Sequence, residues 1–203
     1  MIENEDLVNM PNWLPLSFRP RGGEWLNLRR DEILEFRQFL DLYTGVLHRE
    51  LRIRDREGRE TNLATRRIVH MAEPHLAAIE WRIRPENWSG RIEVRAGLDG
   101  TVINAGVERY RQLNGKHLAP VETRQIGPNA VLLVTETNQS RLRVALAART
   151  RVSVPADRAL QQEPDHIAQI LGLEARQGEE ITVEKTVALF TSRDHAISEP
   201  ALA

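Results

Sequence analysis

His70 to Asp99 reads HMAEPHLAAIEWRIRPENWSGRIEVRAGLD, and this stretch decides the fold. In its first half Ala77, Ile79, Trp81 and Ile83 alternate with Ala78, Glu80, Arg82 and Arg84. In its second half Ile92, Val94, Ala96 and Leu98 alternate with Arg91, Glu93 and Arg95. Successive side chains on a strand point to opposite faces, so each half can bury one face and wet the other. The corner between them, Pro85-Glu-Asn-Trp-Ser-Gly90, carries the residues that reverse a chain. Two half-buried strands joined this way predict an all-β chain built as an antiparallel β-sandwich. Trp81, in phase with Ile79 and Ile83, is expected in its core.

Working outward, Leu47, Leu51 and Ile53 alternate with His48, Glu50, Arg52 and Arg54, which makes 47–54 a strand. The segment before it is ambiguous. Ile33, Phe36, Leu40 and Tyr43 suit one face of a helix capped by Asp31, which the pattern of the residues alone does not decide against an extended arm. Residues 14–18 and 24–28 read as strands around Gly22-Gly23, and 59–71 as a strand with Ile68, Val69 and Met71 in apolar contact. Asp99-Gly100 has the composition of a tight hairpin. Residues 101–120 read as a long excursion from the sandwich, and 155–164 as a connector. Residues 130–135 and 141–149 form a further hairpin, with Leu142, Val144, Leu146 and Ala148 facing in. Strand parity is favoured for 167–173. The last strand, 181–191, carries Ile181, Val183, Val187 and Leu189 with Lys185 intruding in their row.

With 203 residues, 41% of them hydrophobic, the chain has room for one sandwich with its own core. Lys and Arg number 28 against 29 Asp and Glu, so there is no net field to gather nucleic acid or an anionic membrane. Arg49, Arg52, Arg54, Arg66 and Arg67 are interleaved with Glu50, Asp55, Glu57 and Glu60, which reads as a salt-laced sheet face. No run of eighteen apolar residues occurs, so no membrane span is expected. The absence of cysteine excludes disulfides and thiolate zinc, and the acidic start MIENEDLVNM is not a secretory signal, so the expected location is cytoplasmic.

Six histidines invite a metal hypothesis that their spacing does not support. His70 and His75 flank Pro74, and His48, His117, His166 and His195 stand apart. Glu80, Glu93 and Glu136 fall on solvent faces of alternating strands. There is no Gly-x-Ser-x-Gly, no phosphate loop and no thiol nucleophile. No catalytic, cofactor-binding or metal-ligating residue is therefore assigned. Trp13, Trp25 and Trp88 lie near turns, where each can plug the end of a sandwich or stack on a sugar ring.

The stretch 70–99, with residues 7–18 (LVNMPNWLPLSF), 40–49 (LDLYTGVLHR) and 191–202 (TSRDHAISEPAL), resembles the amino-terminal domain of glycoside hydrolase family 65. The resemblance implies a supersandwich of the galactose mutarotase-like kind, and it favours the hairpin over the helix for 31–54. It implies a parent enzyme that phosphorolyses, or in some members hydrolyses, an α-linked glucose disaccharide such as trehalose, maltose or kojibiose. The general acid and phosphate site of that family belong to an (α/α)6 barrel whose motifs this chain lacks. Residues 1–192 are then the sandwich and 193–203 the start of a linker to the absent barrel. The family's Gly-Asn-Gly-Tyr-Leu-Gly-type stretch is also missing, so a truncated domain without its front strands is expected. Its bare edge strands would invite a homodimer. The partners so implied are the barrel, a second copy and carbohydrate, with no cofactor. The alternative is a free-standing carbohydrate-binding module.

Overall fold

The computed structural model describes residues 8–105, 115–194 and 200–202. Its strands are β1 (Leu16–Pro20), β2 (Glu32–Asp41), β3 (Val46–Arg54), β4 (Glu60–Val69), β5 (Leu76–Pro85), β6 (Gly90–Asp99), β7 (Leu118–Gly127), β8 (Ala130–Thr137), β9 (Arg143–Val152), β10 (Asp157–Glu163), β11 (His166–Ala175) and β12 (Ile181–Thr191). A 3-10 turn follows at Pro200–Leu202. Four strands form a small antiparallel sheet in the order β1-β6-β11-β10, and eight form a large one, β2-β3-β4-β5-β12-β9-β8-β7. This is the sandwich the alternation predicts. The large sheet consists of two meanders, β2 to β5 and β7 to β9, and β12 lies between them, paired with β5 on one side and β9 on the other.

The core follows from strand parity. Leu51, Leu63, Ile83 and Ile181 sit directly opposite one another across β3, β4, β5 and β12. They pack against Phe18, Ile92, Val94, Leu171 and Leu173 of the small sheet. A second cluster joins Leu98 and Ile167 to Leu133, Leu146 and Val187. Burying one such aliphatic side chain contributes roughly 1.5–3 kcal/mol. The 85–90 corner is tied down by its own polar groups. Trp88 donates its indole N–H to the Glu60 carbonyl, the Glu60 N–H donates to Asn87 Oδ1, and Gln177 N–H donates to Ser89 Oγ.

The extended reading of 31–54 holds, because β2 and β3 pair from Glu32↔Arg54 to Asp41↔Val46. Their turn needs Gly45, which has φ of 70° and donates its N–H to the Asp41 carbonyl. Strand parity at 167–173 also holds, as β11.

Other expectations are corrected. Residues 24–28 are not a strand. Leu26 returns one N–H to Phe18, and the chain then turns through Asn27, whose carbonyl accepts from Arg30 and Asp31. Asp99-Gly100 is no hairpin, because Asp99 pairs with His166 of β11 and bridges to Asn12. Gly100 serves close approach instead: a Cβ there would stand 2.9 Å from Thr135 Cγ2 and 3.0 Å from the Asp165 carbonyl oxygen. Residues 157–163, read as connector, are the edge strand β10, exposed throughout and so without apolar alternation. The excursion after β6 gives way to β7 at Leu118, and its residues 106–114 lie outside the described residues. Trp81 is half-buried at the margin of the main cluster, and Val69 and Met71 are exposed.

The two ends of the large sheet differ in chemistry. At one end lie the charged turns 55–59, 86–89 and 176–180, beside the pairs Arg54↔Glu60, Thr61↔Pro85 and Ile181↔Ile83. At the other lie the β2–β3 tip, the β4–β5 turn and the exit of β12, beside Asp41↔Val46, Val69↔Ala77 and Ala188↔Leu76. That second end carries exposed Leu40, Leu42, Tyr43, Val69, Met71 and Leu76.

Candidate functional site

Carboxylates that could serve acid–base chemistry are held by arginines on the sheet faces. Glu80, on β5, accepts from Arg66 of β4 at 2.7 Å and from Arg82 at 2.8 Å. Glu93 accepts from Arg19 across the β1–β6 pair at 2.6 Å. Glu86 accepts from Arg84 and the Asn62 amide, and Glu136 from Arg141. Glu60 is clasped by Arg54 and Arg52, which also reach Glu32 and Glu35 on β2. This ladder is the salt-laced face expected from the interleaved charges.

The ionisation of these groups follows from their partners. The Arg66 guanidinium holds Glu80 below the usual carboxylate range, Arg54 does the same for Glu60, and Arg141 for Glu136. A glycosidic general acid needs the opposite, a carboxyl raised so that it keeps its proton near neutrality. The arrangement therefore favours permanent anions neutralised by guanidinium.

Hollows also open on the surface of the described residues. One, of about 200 Å³, lies at the charged end between Pro20, Gly23, Leu26, Ile53, Asp55 and Arg59. Arg59 there bonds Asp55 at 2.7 Å and Glu57 at 2.9 Å. Another, of about 420 Å³, lies over β2, β3 and β4 among Glu35, Arg37, Glu50, Arg52, Asn62 and Arg84.

Among the described residues no three His, Asp or Glu form a metal-binding group. His75 stacks on Phe190 with ring centroids 4.0 Å apart and its Nδ1 lies 2.8 Å from the Leu189 carbonyl oxygen. His48 stacks on Phe39. His195 lies outside the described residues. Of the tryptophans, Trp13 packs against both core clusters and Trp81 and Trp88 against the larger one. Trp25 lies 4.5 Å from the guanidinium carbons of Arg19 and Arg95.

The most unusual group is Lys185. It is fully buried on the central strand, opposite Ile79 and Thr150. Its ammonium donates to the carbonyls of Trp13 at 2.7 Å, Pro15 at 3.1 Å and Gly97. Three donors thus meet three acceptors from the segment preceding β1 and from β6. Burial pushes its pKa down to about 7, while the carbonyl oxygens favour the charged form. The signal for this clamp was the one cation inside an apolar row. What it grips could not be read, because Trp13 and Gly97 are distant in sequence.

Comparison with known proteins gives a consistent result. Residues 2–203 match the family model described as glycosyl hydrolase family 65, N-terminal domain. An uncharacterized glycosyl hydrolase of Mycobacterium tuberculosis is 39% identical over 206 residues, covering 99% of this chain and 15% of the relative. A kojibiose phosphorylase of Caldanaerobacter subterraneus subsp. tengcongensis is 31% identical over 199 residues, covering 93% of this chain and 25% of that enzyme. A solved structure described as a candidate kojibiose phosphorylase from the human microbiome superposes with a TM-score of 0.80 at 17% identity, over 94% of this chain and 23% of that one. The chain thus spans a quarter or less of the length of these relatives.

Proposed function

The chain belongs to glycosyl hydrolase family 65, as an N-terminal domain of that family, and on this premise we propose that it serves as the non-catalytic sandwich of a longer polypeptide that phosphorolyses an α-linked glucose disaccharide with inversion. The observation that carries the reading is the pairing of two coverages: 93% of this chain matches a kojibiose phosphorylase of which it makes up only 25%. The general acid and the phosphate-binding groups then lie in the remainder of the polypeptide. Residues 1–192 form the sandwich, and 193–203 open the connection to an (α/α)6 barrel. The arginine-held carboxylates support this, since none of Glu60, Glu80 or Glu136 is poised to donate a proton. A free-standing carbohydrate-binding module is the weaker reading, because Trp13, Trp81 and Trp88 are spent on packing. The cysteine-free composition suits the reducing cytoplasm. The exposed edge strand β2 is available for self-association.

The test is to assay the purified chain with kojibiose, trehalose or maltose and inorganic phosphate. No glucose 1-phosphate is expected. Turnover by the chain alone, abolished by Glu80→Gln, Glu86→Gln or Glu93→Gln, would place a catalytic site within the sandwich and defeat the reading.

A further inference from the structure

One edge of the small sheet is finished by a segment that is not a strand. β1 covers the edge of β6 only from Ile92 to Ala96. The rest of that edge is covered by residues 12–15, Asn12-Trp-Leu-Pro15, through a bridge between Asn12 and Asp99 and a bond from the Gly97 N–H to the Pro15 carbonyl. Pro15 has no N–H to give, and the Leu14 N–H turns back to Asn12 Oδ1. The carbonyls of Trp13 and Pro15 are gripped instead by Lys185. Two of the three acceptors of the buried amine thus belong to this segment, and the third, the Gly97 carbonyl, to the edge beneath it.

No carboxylate shares the enclosure. Among the described residues Lys185 is the one buried ionisable side chain. β5 faces it with Ile79, beyond which lies the exposed Arg67 of β4, and β9 with Thr150, whose carbonyl accepts from Arg158 of β10. On β6, a Cβ at Gly97 would stand 3.3 Å from His166 Nε2 of β11, and Asp99 spends Oδ1 on the Thr101 N–H and hydroxyl. Glu184 and Thr186, beside Lys185 on β12, fall on the opposite face of the strand. These elements bring up cations, a histidine and an engaged carboxylate, so the carbonyls alone offset a proton on the amine.

We propose that residues 12–15 are a proton-linked strap: lifting them from β6 hydrates the Lys185 amine, which takes up a proton, so that falling pH loosens the strap and rising pH tightens it. The direction follows from linkage. Burial lowers the amine's pKa to about 7, whereas a hydrated lysine titrates near 10.4. Between those values the open form carries the extra proton, and each unit of pH shifts the opening equilibrium by up to about tenfold. Below 7 both forms are charged and the dependence ends. Trp13, packed against both core clusters, keeps the opening rare. When it occurs, the end of the β6 edge is bared with its backbone groups unpaired.

Native-state hydrogen exchange of the purified chain tests this, read at the Asn12, Gly97 and Asp99 amides between pH 6 and 9 and corrected for the intrinsic base dependence of exchange. Their opening should become up to about tenfold rarer per pH unit above 7 and level off below it. It should be unchanged by dilute urea, because a local opening exposes little surface. The Leu133 and Leu146 amides, inside the large sheet, should exchange by global unfolding and respond to urea. Lys185→Met should flatten the pH dependence at the three amides. Wild-type opening independent of pH would overturn the proposal. So would urea sensitivity at Asn12 and Gly97 equal to that at Leu133, since the event would then be global unfolding. A folded Lys185→Met chain that kept the slope would overturn it as well, and if that chain fails to fold, the wild-type readings decide alone.

Discussion

A buried ammonium without a carboxylate is costly, and Lys185 shows what makes it tolerable: three backbone carbonyls placed at its three N–H bonds. The linkage has a definite sign. In the unfolded chain a lysine keeps its proton to about pH 10.4, whereas in the fold it releases it near 7. Between those values the unfolded state binds more protons, so stability rises with pH across that window. The melting midpoint of the wild-type chain is expected to climb from pH 7 to 10, and that of Lys185→Met to lose the climb. Identical slopes for the two would show that the amine does not titrate in the fold. Trp81 makes a second residue-scale prediction. It stands between Thr65 and Val183 on the core-facing side but is only half-buried, so Trp81→Ala should cost about 2–4 kcal/mol, short of a fully enclosed ring. Chemical denaturation measures this, and an unchanged midpoint would put the ring in solvent.

Elements were legible wherever one face is wet and the other dry. β3, β5, β6, β9, β11 and β12 announce themselves by parity, because their neighbours on both sides keep the alternation under selection by burial. The strands that escaped are edges. β10 is exposed along its whole length, and β7 has register breaks between Pro120 and Glu122 and between Gln125 and Gly127 that shift its parity twice. Asp99-Gly100 misled for a different reason. Glycine there answers to crowding by Thr135 and Asp165, a long-range fact that no local pattern holds. Gly100→Ala should accordingly cost about 1–3 kcal/mol, measured by thermal or urea unfolding. A neutral result would mean that the β6–β8 approach relaxes freely. The candidate site was legible mainly as the charge pairing of a sheet face, while the grip of Lys185 and the exposure of Met71 depend on tertiary neighbours.

At the scale of the whole molecule, the sandwich divides its labour by position: core between the sheets, matched charge on the outer face of β2–β5, a small apolar cluster of Leu132, Val134 and Ala145 under Ala201 on the outer face of β8–β9, and apolar side chains at one end. Among the described residues β12 alone hydrogen-bonds the β2–β5 meander to the β7–β9 meander, and so closes the large sheet. Because β12 comes last among the twelve strands, a ribosome making the chain releases both meanders before the piece that joins them. Each half must wait with β5 and β9 as open edges, and Lys185, which fastens the segment before β1, arrives with the same late strand. Folding is therefore expected to wait for β12 and to be slow for the size of the domain, with its decisive contacts between distant residues. Stalled nascent chains ending before Ile181 should show no cooperative protection from proteolysis, and chains extended far enough to free Thr191 from the exit tunnel should gain it in one step. Protection that accrued meander by meander would mean that each half is stable alone, and that the closing strand is a seam between two finished pieces.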